Sequence, residues 1–510
     1  MIIQTSCGSV RGEVRESAAV FRGIPYGTAQ RFLPPVPAPA WSGVRDCTRN
    51  GPIAVQNGGS ISGSEGLGAY FSGGRPEDFG VAQEVQSEDC LVLNVLTPLN
   101  AAGDAPRGGR PVLVYIHGGG FSGGSGSLAI GARRFVQEQD VVLVSVNHRL
   151  NVFGYLYLEH LDKKYAGSGM AGMLDLVLAL QWVRENIAAF GGDPAQVTIM
   201  GESGGGMKVS TLLAMPAAKG LFARAIVESG SAPVGTHLPA QAAELTAALL
   251  QQLNLAPEQV SALEPLPAQE LLAAFEAVLR SRRGFMQEPV ADGANLAPNP
   301  EKSFDAVTLS RDIPLMVGSS EDEMGVFTPQ ELLRSITWEN LAETLCSRPV
   351  HRKIGGQLSK EAVEKRIAAF RTVMGEDVSP VHLYLRMVSL DSFLGGGAFH
   401  QAMAQARQGG APVYHYAVHY DSPLPGMEEL RCAWHTADLP LQLRVVLYPE
   451  SEALSRTMAD AVGAFVRSGD PSVPALAWPA FDEAQRLTMV FDKTCRVESD
   501  PWRAVREASV

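Results

Sequence analysis

Short apolar runs bounded by glycine and polar residues recur along the chain, at Leu91 to Leu96, Val112 to Ile116, Val141 to Val146 and Val197 to Met200. Unbroken runs of this length predict strands buried on both faces. Over Met173 to Phe190 the spacing becomes helical: Leu174, Val177, Leu178, Trp182 and Ile187 return on one side before Gly191-Gly192-Asp193-Pro194 ends the element. Strands alternating with helices predict an α/β fold, a large mostly parallel central sheet with helices on both faces. Two further helical stretches, around 238–283 and 337–375, are read as insertions on a single domain spanning residues 1–510. The segment from Gly58 to Gly80, rich in Gly and Ser and poor in aliphatic residues, predicts a long mobile loop.

Composition narrows the class. With 45% hydrophobic residues, 19% charged, 52 Gly and 33 Pro in 510 residues, the chain has a large core and many turns, which excludes disorder, collagen and coiled coil. The formal charge of −12 opposes binding to phosphate backbones or anionic lipid. The six cysteines show no Cys-x-x-Cys spacing and are too sparse for a disulfide scaffold, so free thiols are expected. Met1 to Ser6 lacks the features of an export signal, and runs such as Pro111 to Ile116 are too short to cross a bilayer. The expectation is a cytoplasmic monomer or homodimer with no nucleic-acid or membrane partner, no metal and no organic cofactor.

The run Val197 to Met200 leads directly into Gly201-Glu202-Ser203-Gly204-Gly205, a Gly-x-Ser-x-Gly motif in a strand-turn-helix setting. That setting projects a serine hydroxyl above a sheet, and the flanking glycines let the backbone pass without clashing. An incidental glycine-rich turn is the plain alternative. A phosphate loop is a third, because Gly201 and Gly206 have its spacing, but Met207-Lys208-Val209 follows where Lys and then Ser or Thr are required. A second cluster, His117-Gly118-Gly119-Gly120-Phe121, follows the run ending at Ile116. Such glycines free backbone N–H groups to point at one spot, as the anion formed by serine attack on an ester needs. His117 is read as a scaffold for this loop rather than a base.

Together these motifs resemble the type-B carboxylesterase and cholinesterase family of α/β-hydrolases, in its bacterial para-nitrobenzyl-esterase-like branch. Further matching stretches are Phe21 to Tyr26, Ser87 to Leu91, Asn147 to Leu150, Asn186 to Pro194, Glu228 to Ser231, Pro289 to Gly293 and Gly469 to Pro471. The resemblance implies the α/β-hydrolase fold and a serine carboxylesterase acting through an acyl-enzyme on small to medium acyl esters of alkyl or aryl alcohols. It implies Ser203 as nucleophile and, among ten histidines, His435 as base. His415 and His419 are read as one face of a strand; they are spaced like zinc ligands on a helix but lack the accompanying Glu.

For the acid, Glu321, Asp322 and Glu323 stand together, and the resemblance selects Glu323. Met324 replaces the Gly of the family's Asp-Glu-Gly pattern, so Asp322 stays open as second choice and Asp438 as a remote third. Ser320 and Glu323 also have the spacing of a helix capping box without chemistry. The oxyanion donors implied are the N–H groups of Gly119, Gly120 and Gly204. Glu202 is expected to line the site and Ser229 to support the acid, while Phe121, Trp434 and Phe285 are expected at an apolar pocket. Two ion pairs are implied, Arg31 with Glu88 and Arg149 with Asp175.

Gly204 stands where the family usually has Ala, which predicts more room beside the oxyanion and, with three loop glycines, acceptance of bulky and even tertiary alcohols. Cys90 has no cysteine in its expected partner region, and the loop carrying Tyr70 and Phe71 has no Trp for a cationic alcohol, so neither a disulfide nor a preference for choline esters is expected. The alternatives are an amidase or carbamate hydrolase on the same triad and, more remotely, a non-catalytic binding module.

Overall fold

The computed structural model describes residues 1–15, 18–57, 85–100, 108–282, 287–347 and 359–508. The predicted loop at 58–80, with Tyr70 and Phe71, lies outside them, as do Phe285 and residues 348–358 of the second helical stretch. Eleven strands form one sheet among the described residues: β1 (Glu13–Arg15), β2 (Ala18–Pro25), β3 (Val92–Pro98), β4 (Arg110–Ile116), β5 (Val142–Val146), β6 (Gly192–Glu202), β7 (Arg224–Glu228), β8 (Leu315–Ser320), β9 (Val413–Val418), β10 (Leu487–Phe491) and β11 (Arg496–Ser499). Their spatial order is β11-β10-β9-β8-β7-β6-β4-β5-β3-β2-β1. From β5 through β10 the pairings are parallel, and antiparallel strands close both edges.

The helices used below are α1 (Ala171–Asn186), α2 (Gly204–Ala214), α3 (Pro239–Gln252), α4 (Ala268–Ser281), α5 (Lys360–Met374), α6 (Pro380–Leu390), α7 (Gly396–Arg407) and α8 (Glu452–Ser468). The reason the strands read as unbroken apolar runs is visible in their packing. Val112, Val114 and Ile116 of β4 join Val197 and Ile199 of β6 in a core that takes Leu176 and Val183 of α1, Leu212 of α2 and Ala402 of α7. Leu113 and Tyr115 of β4 point the other way, into a second core with Met458, Val462 and Phe465 of α8. Alternate residues thus serve opposite faces, and both faces are dry.

The stretch Lys163–Phe190, which contains α1, is long and apolar enough to cross a bilayer, yet 78% of its apolar window is buried, the signature of a core helix. The two helical stretches have cores of their own. Leu249 of α3 and Phe275 of α4 pack with Phe153 and Tyr165, whereas Phe370 of α5 and Leu383 of α6 pack with Leu430 and Trp434.

His415 lies buried in β9, its Nδ1 3.0 Å from Thr488 Oγ1 on β10. Burial pulls its pKa from 6.5 down to about 4. Between those values the unfolded chain binds a proton that the folded chain refuses, so this group removes stability as pH falls from about 6.5 toward 4. We expect His415→Asn to gain about 2 kcal/mol on the wild type between pH 7.5 and 4.5, read from urea midpoints. A constant difference across that range would refute the assignment.

Candidate active site

Register brings the site together. Ile116 pairs with Gly201, Gly201 with Val227 and Val227 with Val317, so β4, β6, β7 and β8 end side by side. Carboxyl ends of parallel strands are where α/β sheets place ligands. The chains leaving these strands carry His117 to Gly120, Ser203, Ser229 and Glu321 to Glu323.

Ser203 occupies a sharp turn between β6 and α2 with φ +56° and ψ −125°. A non-glycine residue there stores about 1–3 kcal/mol of strain, held by what surrounds it. The Ser203 N–H donates to Glu228 O at 2.8 Å, and the Met207 N–H donates to Ser203 O at 3.0 Å. A Cβ on Gly201 would fall on the Gly205 backbone, and one on Gly205 would fall on the Ile116 carbonyl. Only glycine passes at these two positions, the physical content of the motif.

His435 is buried, with Nδ1 hydrogen-bonded to Glu323 Oε2. The other Glu323 oxygen accepts from Ser229 Oγ at 2.5 Å and from the Ser320 N–H at 2.8 Å. That last bond is half of the capping-box geometry; the Ser320 hydroxyl makes no return bond, and the short helix that follows begins at Glu323 itself. His435 Nε2 lies 3.3 Å from Glu202 Oε1 but outside hydrogen-bond geometry. The ring of Phe327 packs on the imidazole at 5.1 Å.

The neighbouring acids are engaged elsewhere. Asp322 Oδ1 accepts from Arg386 Nε at 3.0 Å, and Glu321 Oε2 lies 2.7 Å from Arg386 Nη1. Glu321 Oε1 also lies 3.1 Å from His419 Nε2. Asp438 accepts from Tyr416 Oη at 3.0 Å, and burial followed by the nearby Glu323 charge pushes its pKa up to about 6. Burial, reinforced by Asp438, Glu323 and Glu228, pushes the Glu202 carboxyl well above the usual range.

In the glycine loop, Gly119 and Gly120 have φ of +85° and +61°. Among the described residues no acceptor takes the N–H of Gly119, Gly120 or Gly204. His117 is buried and stacked on His148 at 4.8 Å, its Nδ1 2.9 Å from Gly118 O. Burial and the Lys208 charge pull its pKa down to about 3. A neutral ring bonded to its own loop supports a scaffold role rather than that of a base.

Two readings need correction. The extra space expected at Gly204 is occupied, since a Cβ there would fall on the backbone nitrogen and oxygen of Gly120. At this point the Gly120 backbone lies directly against α2 and leaves no pocket at Gly204. Trp434 is wholly buried in the core of α5 and α6, with Leu424, Met427 and Leu430, so it is a core side chain and not an exposed pocket wall. Phe121 lines a small cavity beside α2, of mixed polar and apolar wall, with Met207, Thr211, Val234, Leu296 and the carboxylate-bearing Glu288.

Both expected ion pairs form. Arg149 Nη2 lies 2.7 Å from Asp175 Oδ1 with both side chains buried. Arg31 Nε donates to Glu88 Oε2 at 2.8 Å, but Glu88 remains one-third exposed at 33%. Sequence reading missed Lys208, Phe327 and the Tyr416–Asp438 pair. Of these only Lys208 carried a local signal, a lone charge in the apolar helix Gly204–Ala214.

The carboxylesterase family profile matches residues 1–504. The para-nitrobenzyl esterase of Bacillus subtilis (strain 168) is 33% identical over 99% of this chain and 98% of its own. The phenmedipham hydrolase of Pseudarthrobacter oxydans is 31% identical over 94% and 92%. Among solved structures, a carboxylesterase of Geobacillus stearothermophilus superposes with a TM-score of 0.81 at 34% identity, covering 100% of both chains. A para-nitrobenzyl esterase superposes with a TM-score of 0.79 at 33% identity, covering 100% of this chain and 99% of its own. Matched from end to end in sequence and in fold, the chain belongs to the carboxylesterase family and is a carboxylic ester hydrolase with the α/β-hydrolase fold.

Proposed function

We propose that the protein is a serine carboxylesterase in which Ser203 is the nucleophile, His435 the base and Glu323 the acid, with an oxyanion hole formed by the N–H groups of Gly119, Gly120 and Gly204. The observation that carries this reading is the Glu323 carboxylate, which holds His435 Nδ1 with one oxygen while Ser229 and the Ser320 N–H hold the other. A fixed carboxylate on Nδ1 sets the tautomer whose Nε2 can take a proton.

His435 Nε2 removes the Ser203 hydroxyl proton as Oγ bonds to the ester carbonyl carbon, and the carbonyl electron pair moves onto oxygen. The N–H groups assigned to the oxyanion hole stabilise that charge; losing one donor in such a site costs about 2.7–4 kcal/mol. The tetrahedral centre collapses by breaking the bond to the alcohol oxygen, which takes the proton from His435. Water then enters, gives its proton to His435, attacks the acyl carbon and releases the acid with Ser203 restored. Glu202 lines the site 3.3 Å from His435 Nε2, its carboxyl pushed well above the usual range by burial and by Asp438, Glu323 and Glu228.

Small to medium acyl groups on alkyl or aryl alcohols are proposed from membership of the carboxylesterase family. Breadth on the alcohol side, tertiary alcohols included, now rests on the three-glycine loop alone. The test is steady-state hydrolysis of para-nitrophenyl esters from acetate to decanoate, with matched anilides and with Ser203→Ala beside the wild type. Turnover of esters well above anilides, with the variant silent, is expected. Two folded but inactive proteins would refute the reading, and faster anilide turnover would make the protein an amidase.

A further inference from the structure

Helix α2 places Gly204 and Lys208 four residues apart and so on one face. That face meets the loop His117 to Gly120. Without a Cβ, Gly204 lets the Gly120 backbone lie directly against the helix. The wholly buried Lys208 donates from Nζ to Gly120 O at 2.7 Å and to His117 O at 3.1 Å, the carbonyls at the two ends of the loop. Its ammonium also sits 5.5 Å from the Phe121 ring centre. The titratable groups that sense its charge are Glu202, His117 and His148.

Burial pulls the Lys208 pKa from 10.5 down to about 7, against the Glu202 charge that raises it, so a buried amine is a costly way to fill a helix position that an apolar side chain could occupy. What it secures here is geometry. The stretch between its two carbonyls contains Gly119 and Gly120, both at positive φ, with no side chains to anchor them. Stabilisation of an oxyanion depends on donors that are already in place when charge develops.

We propose that Gly204 and Lys208 act as a clamp that fixes the His117–Gly120 loop on the nucleophile helix, and that Lys208 is a positioning residue for the oxyanion donors. The inference rests on Ser203 and the glycine loop acting as set out under Proposed function. Lys208 touches no reacting atom and acts only through the loop carbonyls.

The test compares Lys208→Met, which keeps length but no donor, with Lys208→Gln, which keeps an N–H donor. Active sites are titrated with a fluorophosphonate, so kcat is counted per competent enzyme, and affinity is measured for a trifluoromethyl ketone, whose serine adduct carries an oxyanion. For Lys208→Met we expect kcat per titrated site to fall about 10- to 100-fold with KM little changed, the ketone to weaken in proportion, and Lys208→Gln to recover part of both. A merely structural lysine would lower the titratable fraction and leave kcat per site and ketone affinity at wild-type values, which would overturn the proposal.

If Lys208→Met does not fold, Lys208→Gln and Gly204→Ala decide: a loss confined to KM refutes the clamp, and a loss confined to kcat and ketone affinity supports it. Failure of the underlying reading is separately visible. Wild type would then hydrolyse no ester, or Ser203→Ala would still react with the fluorophosphonate.

Discussion

Replacing His435 by alanine is expected to lower kcat by about 10⁶-fold, as loss of Ser203 does, while Glu323→Gln lowers it by about 10⁴-fold. Asp322→Asn is expected to leave kcat within a factor of about ten, because its carboxylate is bonded to Arg386 and the Ala433 N–H rather than to His435. The ordering follows from partners. Glu323 bonds His435 Nδ1, and an amide there can present its NH₂ and select the wrong imidazole tautomer. Asp322 instead bonds Arg386 at 3.0 Å and receives the Ala433 N–H at 3.2 Å. The Asp322 N–H in turn donates to Ala433 O at 2.8 Å, so residue 322 ties its loop to the histidine loop. Its substitution should show in thermal stability before it shows in turnover. Para-nitrophenyl butyrate kinetics on the three variants, each checked for folding by circular dichroism, decide the matter. Equal losses at 322 and 323 would show that chemistry does not distinguish them.

The largest loss of stability is expected from Asp175→Asn, about 3–5 kcal/mol, because it leaves the buried Arg149 guanidinium without its counter-charge. Asp175 accepts from Arg149 Nη2 at 2.7 Å, from Nε at 2.9 Å and from the Arg149 N–H at 3.0 Å. Arg149 Nη1 donates onward to Leu33 O at 2.7 Å, so one guanidinium joins α1, the loop after β5 and the N-terminal region. The outer pair behaves differently. Glu88→Gln should cost no more than about 1 kcal/mol, since a partly exposed pair gains little over its hydration. Paired urea titrations of the two variants test the contrast, and similar midpoints would show that burial does not govern these pairs.

The parallel strands were legible because burial on both faces writes itself locally, as an apolar run too short for a helix. The sequence expects a strand over Val141 to Val146 and the structure has one at Val142–Val146; it expects one ending at Met200 and the structure continues to Glu202. That continuation runs through Gly201 and Glu202 because the turn at Ser203, not hydrophobicity, ends the strand. Gly204 was misread for the opposite reason. Its missing methyl is a local fact, but whether the gap is left empty or filled depends on Gly120, which arrives from another strand.

By itself the sequence determined where backbone sterics and pattern suffice: the alternation of strand and helix, and a serine turn that only glycines can flank. From the sequence, Glu323 is selected only through the family resemblance, with Asp322 left open; its meeting with His435 is made across 112 residues, with Asp322 paired to Ala433 and Arg386 holding the other two acids. The tertiary structure alone gave Lys208 its partners, two carbonyls from a distant loop. Hydrogen bonds and ion pairs of this kind depend on positions in space, and neighbours in sequence offer too many candidates of the same charge to tell them apart.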